Sequence, residues 1–211
     1  MKNWVEWHEA YRDPESALSA RLACVRAHLA RALDEAPSGE VRLLSLCAGQ
    51  GHDVLGVLPW HPRRDEVRAV LVEFNPQNAR VAADHAATEG LSRVEVRQAD
   101  AARVANYADD LPVHVLLLCG IFGNITPEDI SRTVAAAPAL CEREATVIWT
   151  RHRRSPDLTP RIREWFKEAG FDEVAFDALD GPNMTGVGVG RLTRVVPRRT
   201  PLEVLFTFQP G

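Results

Sequence analysis

Five short polar or glycine-rich stretches each follow directly on an apolar run in this chain, and their residue types suit the binding of a nucleoside. Cys47-Ala48-Gly49-Gln50-Gly51-His52-Asp53 comes after the run that ends at Leu46. Small residues there let the backbone approach a ligand closely, and glycine tolerates the positive φ of a tight strand-to-helix turn. Glu73 ends the next apolar run, 22 residues beyond Gly51. A carboxylate has enough acceptor sites to take both hydroxyls of a ribose. Asp100-Ala101 follows the third run, Cys119-Gly120 the fourth and Arg151-His152 the fifth. Each stretch also has a plainer reading: a tight turn without ligand at Gly49 and Gly51, a solvated strand end at Glu73, a turn residue at Asp100.

Further residues invite the same double reading. Phe122-Gly123-Asn124 follows the fourth run, so Asn124 either hydrogen-bonds a second substrate or turns the chain before Thr126. Arg151-His152-Arg153-Arg154 is either a solvated face or a site for an acidic acceptor, with His152 as general base, since a neutral imidazole takes up a proton near pH 7. Trp4, Trp7, His8 and Tyr11 form either a hydrophobic flap or a lid whose rings enclose a cation. Cys119 reads as a core thiol, because no Lys, Arg or His adjoins it. The four cysteines, Cys24, Cys47, Cys119 and Cys141, form no C-x-x-C pair, and no Asp/His cluster has metal-ligand spacing, so no metal is expected.

These residues need a scaffold, and the hydrophobic pattern supplies one. Asp13-Pro14-Glu15 reads as the start of a helix with Leu18, Leu22, Val25, Leu29 and Leu33 on one stripe, ended by Pro37-Ser38-Gly39. Strands are predicted at 41–46, 67–73, 94–97, 113–118 and 146–149. Helices are predicted at 53–58, from Asn75-Pro76 to near Gly90, from Thr126-Pro127, and from Thr159-Pro160 to Gly170. Late strands are expected at 174–176, 187–192 and 204–208, with a loop at Asp180-Gly181-Pro182-Asn183. Alternation of this kind predicts an α/β fold: a Rossmann-like, doubly wound, mostly parallel seven-stranded sheet with an antiparallel edge strand. In such sheets ligands bind at the carboxyl ends of the strands, near the switch in strand order. Residues 1–36 would form an aromatic segment and helix, and 37–211 the Rossmann-like domain, within one globular unit.

Composition bounds the partners. With 211 residues, 45% apolar and 26% charged, the chain is long enough for one sizeable core. A net charge of −4 argues against nucleic acid as a partner. No run approaches the roughly 18 apolar residues of a membrane span, and residues 1–7 lack the apolar core of a signal peptide. The expected setting is a reducing cytoplasm.

The nucleoside can be narrowed. A dinucleotide fingerprint G-x-G-x-x-G would need glycine at Val54, and no G-x-x-x-x-G-K-[ST] loop occurs. Leu44-Ser45-Leu46-Cys47-Ala48-Gly49-Gln50-Gly51-His52-Asp53 resembles motif I of the class I S-adenosylmethionine-dependent methyltransferases. Val70-Leu71-Val72-Glu73-Phe74-Asn75-Pro76 resembles their second motif, and Gln98-Ala99-Asp100-Ala101 their third. The resemblance runs from about residue 40 to 178. It implies that Gly49 and Gly51 flank the methionine part, that Glu73 holds the ribose, and that Asp100 contacts the adenine amino group while its neighbour packs on the ring. Cys119 and Gly120 would lie near the methyl group. Cys47, Ala48, Asp53 and Phe74 complete the implied cofactor set. Ser45 and Cys47 depart from the family, which carries an acidic residue and a glycine there; Asp53 or a backbone carbonyl would then hold the methionine ammonium.

The resemblance implies methyl transfer from S-adenosylmethionine to a small-molecule acceptor, an acidic one if the arginine run takes part, with His152 and Asn124 as candidate catalytic residues. The alternatives are an auxiliary protein that binds the cofactor without turnover, and an RNA methyltransferase. Against the last, Cys119-Gly120-Ile121-Phe122 stands where amino methyltransferases of nucleic acids carry an Asn/Asp-Pro-Pro-Tyr/Phe motif.

Overall fold

A computed structural model describes residue 13 and residues 16–181, 184–194 and 203–209 of the chain. The aromatic segment 1–12 and Pro182-Asn183 lie outside the described residues. The elements run α1 (Ala17–Glu35), β1 (Val41–Leu46), β2 (Val67–Glu73), α2 (Pro76–Thr88), β3 (Val94–Gln98), β4 (Val113–Leu118), α3 (Pro127–Leu140), β5 (Cys141–His152), α4 (Thr159–Glu168), β6 (Phe171–Leu179) and β7 (Thr185–Leu192).

The strands form one seven-stranded sheet in the order β3-β2-β1-β4-β5-β7-β6. The first five pair in parallel, and β7 runs antiparallel between β5 and β6. The antiparallel strand therefore lies second from the edge, with β6 outermost. Alternation along each strand loads both faces. Leu44, Leu46, Val70, Val72, Leu116 and Leu118 pack with Ile130 and Val134 of α3 and Ile162 and Phe166 of α4. Leu43, Leu71, Val115 and Leu117 pack with Val25, Leu29 and Leu33 of α1 and Ala82 and Ala86 of α2. Strands covered on both faces are apolar nearly throughout, which is why β4 reads as a continuous hydrophobic run.

Local chemistry sets most helix starts as the sequence predicts. Asn75 caps α2, its side chain accepting from the amides of Gln77 and Asn78, and Thr126 caps α3 by accepting from Asp129 N. Helix α1 differs: Ser16, in extended conformation, is the cap, accepting from Ser19 N at 3.1 Å, while the Asp13 carbonyl accepts from Ser16 N and Ser19 Oγ. The helix predicted at 53–58 is a series of turns leading into a 3₁₀ turn at Leu58–Trp60. Arg26 of α1 explains the difference. Its guanidinium donates to His52 O at 2.6 and 2.8 Å, taking the acceptor that a continuous helix would offer to Gly56 N. It also lies so close over Gly56 that a Cβ there would sit 2.2 Å from it. The strand predicted at 204–208 is reduced to one bridge, Val204 with Arg103. The segment runs along the turn after β3 and straps it to the loop after β4 and the first turn of α3: Leu205 N donates to Ala102 O, Gln209 N to Asn124 O and Thr207 N to Asp129 Oδ2. No helix among the described residues is long and apolar enough to cross a membrane.

Candidate active site

The strand order reverses between β1 and β4, since β1 pairs with β2 on one side and β4 on the other. A crevice outside the carboxyl ends of β1 and β4 follows from that topology. The loops predicted to bind are the ones that border it.

The loop after β1 turns through three left-handed residues: Cys47 at φ 56°, Gly49 at 59° and Gly51 at 71°. At Gly51 a Cβ would lie 2.8 Å from Leu55 Cδ1 and 2.9 Å from Leu71 Cδ2, so glycine is required by space as well as by φ. Cys47 adopts a conformation that disfavours a side chain, at the position where the family motif carries glycine. Its thiol is held neutral, pushed well up by burial and by the nearby carboxylates of Glu73 and Asp100.

Three hydrogen bonds join the ends of β1, β2 and β3, two of them from this loop. Ala48 N donates to Val72 O at 3.0 Å, Gly49 N to Glu73 Oε2 at 2.8 Å, and Ala99 N to Glu73 O at 3.0 Å. The other oxygen of Glu73 accepts from Asn75 N at 2.8 Å. Glu73 is thus a buried carboxylate whose two oxygens are fixed by amides from two different loops. A carboxylate has about four lone-pair sites, and the Phe74 amide acts on this group as well, so acceptor capacity remains beyond these backbone contacts. Burial raises its pKa against the opposing pull of these amides. Phe74, the next residue, is 73% exposed and offers a bare aromatic face beside it.

Asp100 Oδ1 accepts from Ala102 N, and its carbonyl accepts from Asn106 Nδ2, which fixes the turn after β3. Ala101 is buried, and its carbonyl accepts from Tyr107 Oη, so its methyl presents little free surface. Asp53 is buried too; its Oδ1 accepts from Val54 N, and burial raises its pKa although Arg21 and Arg26 of α1 oppose the rise. Arg21 is a basic residue at this end of the sheet that the helical stripe alone does not single out: its charge acts on both Asp53 and Cys119.

On the β4 side, Gly120 has φ 79° and donates from its amide to Thr150 Oγ1 at 3.0 Å. Asn124 Nδ2 donates to Gly120 O at 2.7 Å, closing the 120–124 loop on itself. Burial and the charge of Asp53 push the Cys119 thiol far up, in keeping with a core thiol.

The arginine run divides. Arg151 is buried and donates to Phe122 O; Arg153 donates to Leu179 O and to Asp180 Oδ1 at 3.0 Å. Both fasten loops. His152 lies beside Gly123, where a Cβ would come within 3.7 Å of His152 Cδ2, and its Nδ1 is buried without a partner. Burial, Arg151 and Arg154 lower its pKa, so the ring is neutral at pH 7.

No family model matches the chain, and no curated protein matches it. Solved structures do. A magnesium protoporphyrin IX methyltransferase from Synechocystis, with bound S-adenosylmethionine, superposes with a TM-score of 0.69 at 11% identity, over 91% of this chain and 92% of that one. A 1,6-didemethyltoxoflavin-N1-methyltransferase from Burkholderia thailandensis gives 0.63 at 16% identity, over 90% and 87%. An O-methyltransferase family protein from the same organism gives 0.65 at 14%, over 83% and 56%. The chain spans just over half the length of the last, and 55% of the S-adenosylmethionine-dependent methyltransferase SibL. Many of the solved structures of this shape are thus methyltransferases, and the likeness is one of fold.

Proposed function

We propose that the chain binds S-adenosylmethionine across the crevice between β1 and β4 and directs methyl transfer to a small-molecule acceptor. One observation carries the reading: Glu73 is a buried carboxylate, oriented by the amides of Gly49, Asn75 and Phe74, with acceptor capacity to spare. That is a receptor for a vicinal diol, and exposed Phe74 stands where a purine would stack. The rest of the site fits the same group. The left-handed turn at Gly49 and Gly51 leaves backbone open to close approach, and the buried Asp53 carboxylate suits the methionine ammonium in place of the acidic residue absent at Ser45.

When bound, the cofactor supplies an electrophilic methyl on a sulfonium. The chain contributes position: Glu73, Asp53 and the glycine turn hold one reactant, and the 120–124 loop, braced by Asn124 and Arg151, shapes the space for the other. Holding two reactants in line accounts for most of the acceleration such a reaction needs. His152, whose ring is neutral and stands beside the 120–124 loop, takes the proton of an acceptor that carries one. Arg151 and Arg153 each spend donors on loop contacts, and the Nε of each is buried, so an acidic acceptor would be met by Arg154. The net charge of −4 favours such a small molecule over RNA.

Titration calorimetry with S-adenosylmethionine and S-adenosylhomocysteine tests binding, and release of S-adenosylhomocysteine over a panel of neutral and acidic small acceptors tests transfer. Binding with turnover supports the reading; absence of binding to either compound overturns it. Cys47, with its left-handed backbone, and Ser45 favour one other reading, an auxiliary protein that binds without transfer. Tight binding with no turnover on any acceptor would select it.

A further inference from the structure

Helix α1 and edge strand β6 bring three side chains to one point, separate from the loops that meet at Glu73. Cys24 and His28 stand four residues apart on α1, so one helical turn stacks them on the same face. Asp177 meets them from β6, 149 residues along the chain from His28. One ligand-type atom from each, the thiol sulfur, an imidazole nitrogen and a carboxylate oxygen, lies within 4.8 Å of the other two. His28 Nε2 and Asp177 Oδ2 are 2.6 Å apart.

We propose that Cys24, His28 and Asp177 form a zinc site that pins α1 to the edge of the sheet, with water as a fourth ligand. Thiolate, imidazole and carboxylate together make a donor set of zinc's borderline softness. Tetrahedral zinc with ordinary bond lengths would place these donor atoms roughly 3.3–3.6 Å from one another. The spacings present, 2.6 Å for one pair and at most 4.8 Å for the others, differ from these by no more than about 1.3 Å.

The arrangement is convergent, which separates it from a nucleophile relay. A Cys–His–carboxylate relay needs the thiol on one ring nitrogen and the carboxylate on the other. Here His28 meets Asp177 through Nε2, and the Cys24 thiol interacts with Asp177 directly. A divalent ion in the centre would engage all three donors at once. The thiol proton leaves to solvent, the imidazole proton moves to Nδ1 and frees the Nε2 lone pair, and two anionic ligands face one dication. Access exists from the Asp177 side, where the side chain keeps 43% exposure. The position suits a staple, because β6 is the outermost strand of the sheet among the described residues.

Cobalt(II) reports the site in the full-length chain after chelator treatment. The expected result is one equivalent bound with the intense visible bands of a four-coordinate ion and a thiolate charge-transfer band in the near ultraviolet, both displaced by zinc. Cys24→Ser should abolish the charge-transfer band. Asp177→Asn and His28→Gln should each weaken zinc binding by roughly tenfold or more, read against a chromogenic chelator, since even outer-shell partners are worth that much. Cys141→Ser should change neither. The proposal is overturned if the native chain takes up no stoichiometric cobalt or zinc, or if the charge-transfer band survives Cys24→Ser. Should Cys24→Ser not fold, Asp177→Asn decides alone: it keeps an acceptor for His28, and unchanged zinc affinity there refutes the site.

Discussion

Replacing Glu73 by glutamine isolates the one group on which the cofactor reading turns. The amide keeps the shape of the carboxylate but only one of its oxygens. Glu73 now accepts two backbone N–H groups, each at 2.8 Å, one per oxygen. In E73Q one of these amides faces an NH₂ instead, and one of the two diol acceptors is lost. A hydrogen bond to a charged group contributes roughly 1.5–3 kcal/mol, so affinity for S-adenosylhomocysteine should fall about 10- to 150-fold. Stability changes less, because two effects oppose. The orphaned amide costs about 1–3 kcal/mol, while removing a buried charge whose pKa burial has raised returns part of that. Calorimetric titration gives the first quantity and a denaturant midpoint the second. If E73Q bound S-adenosylhomocysteine within about twofold of the native chain, a difference of under 0.5 kcal/mol, while unfolding at the native midpoint, the diol assignment would be wrong.

The same geometry makes three other substitutions informative. Gly51→Ala forces a methyl onto buried Leu55 and Leu71 at φ 71°, and should lower stability by roughly 2–5 kcal/mol, the sum of left-handed backbone and overpacking costs, measured by denaturant unfolding. His152 has a pKa below its ordinary 6.5, so its neutral form contributes stability that is full above that value and lost as pH falls through the lowered one; His152→Gln should lose less stability than the native chain between about pH 7.5 and about pH 5. Arg151→Met leaves Phe122 O without its buried donor and should cost about 1–3 kcal/mol; because the 120–124 loop loosens, KM for the acceptor should rise while the affinity for S-adenosylhomocysteine holds.

Much of the site was legible because its parts are local. Gly49 and Gly51 mark left-handed backbone, a requirement a single residue carries in its type. Glu73 and Asp100 stand directly after apolar runs, and in a parallel sheet strand ends of like register gather at one edge. The pairing of Glu73 with Gln98 in register puts those two loops side by side. Asn75 and Thr126 announce helix starts by capping chemistry that acts within three residues.

The sequence by itself determined the alternation of elements, the two apolar faces of the sheet, the helix starts at Asn75 and Thr126 and which loops follow the parallel strands, since each depends on periodicity or on the stereochemistry of a few neighbouring residues. Tertiary structure alone decided the rest. Arg26 dissolves the helix expected at 53–58 by taking His52 O from 26 residues away. The segment at 204–208 straps loops instead of adding a strand, because whether an extended segment pairs depends on where a sheet edge lies. The arginine run was split by contact into loop fasteners at 151 and 153 and an unpartnered imidazole nitrogen at 152. Cys24 and His28 gained Asp177 only when β6 folded against α1. Each is a contact between groups far apart in the chain, and linear spacing carries no record of which distant group will arrive.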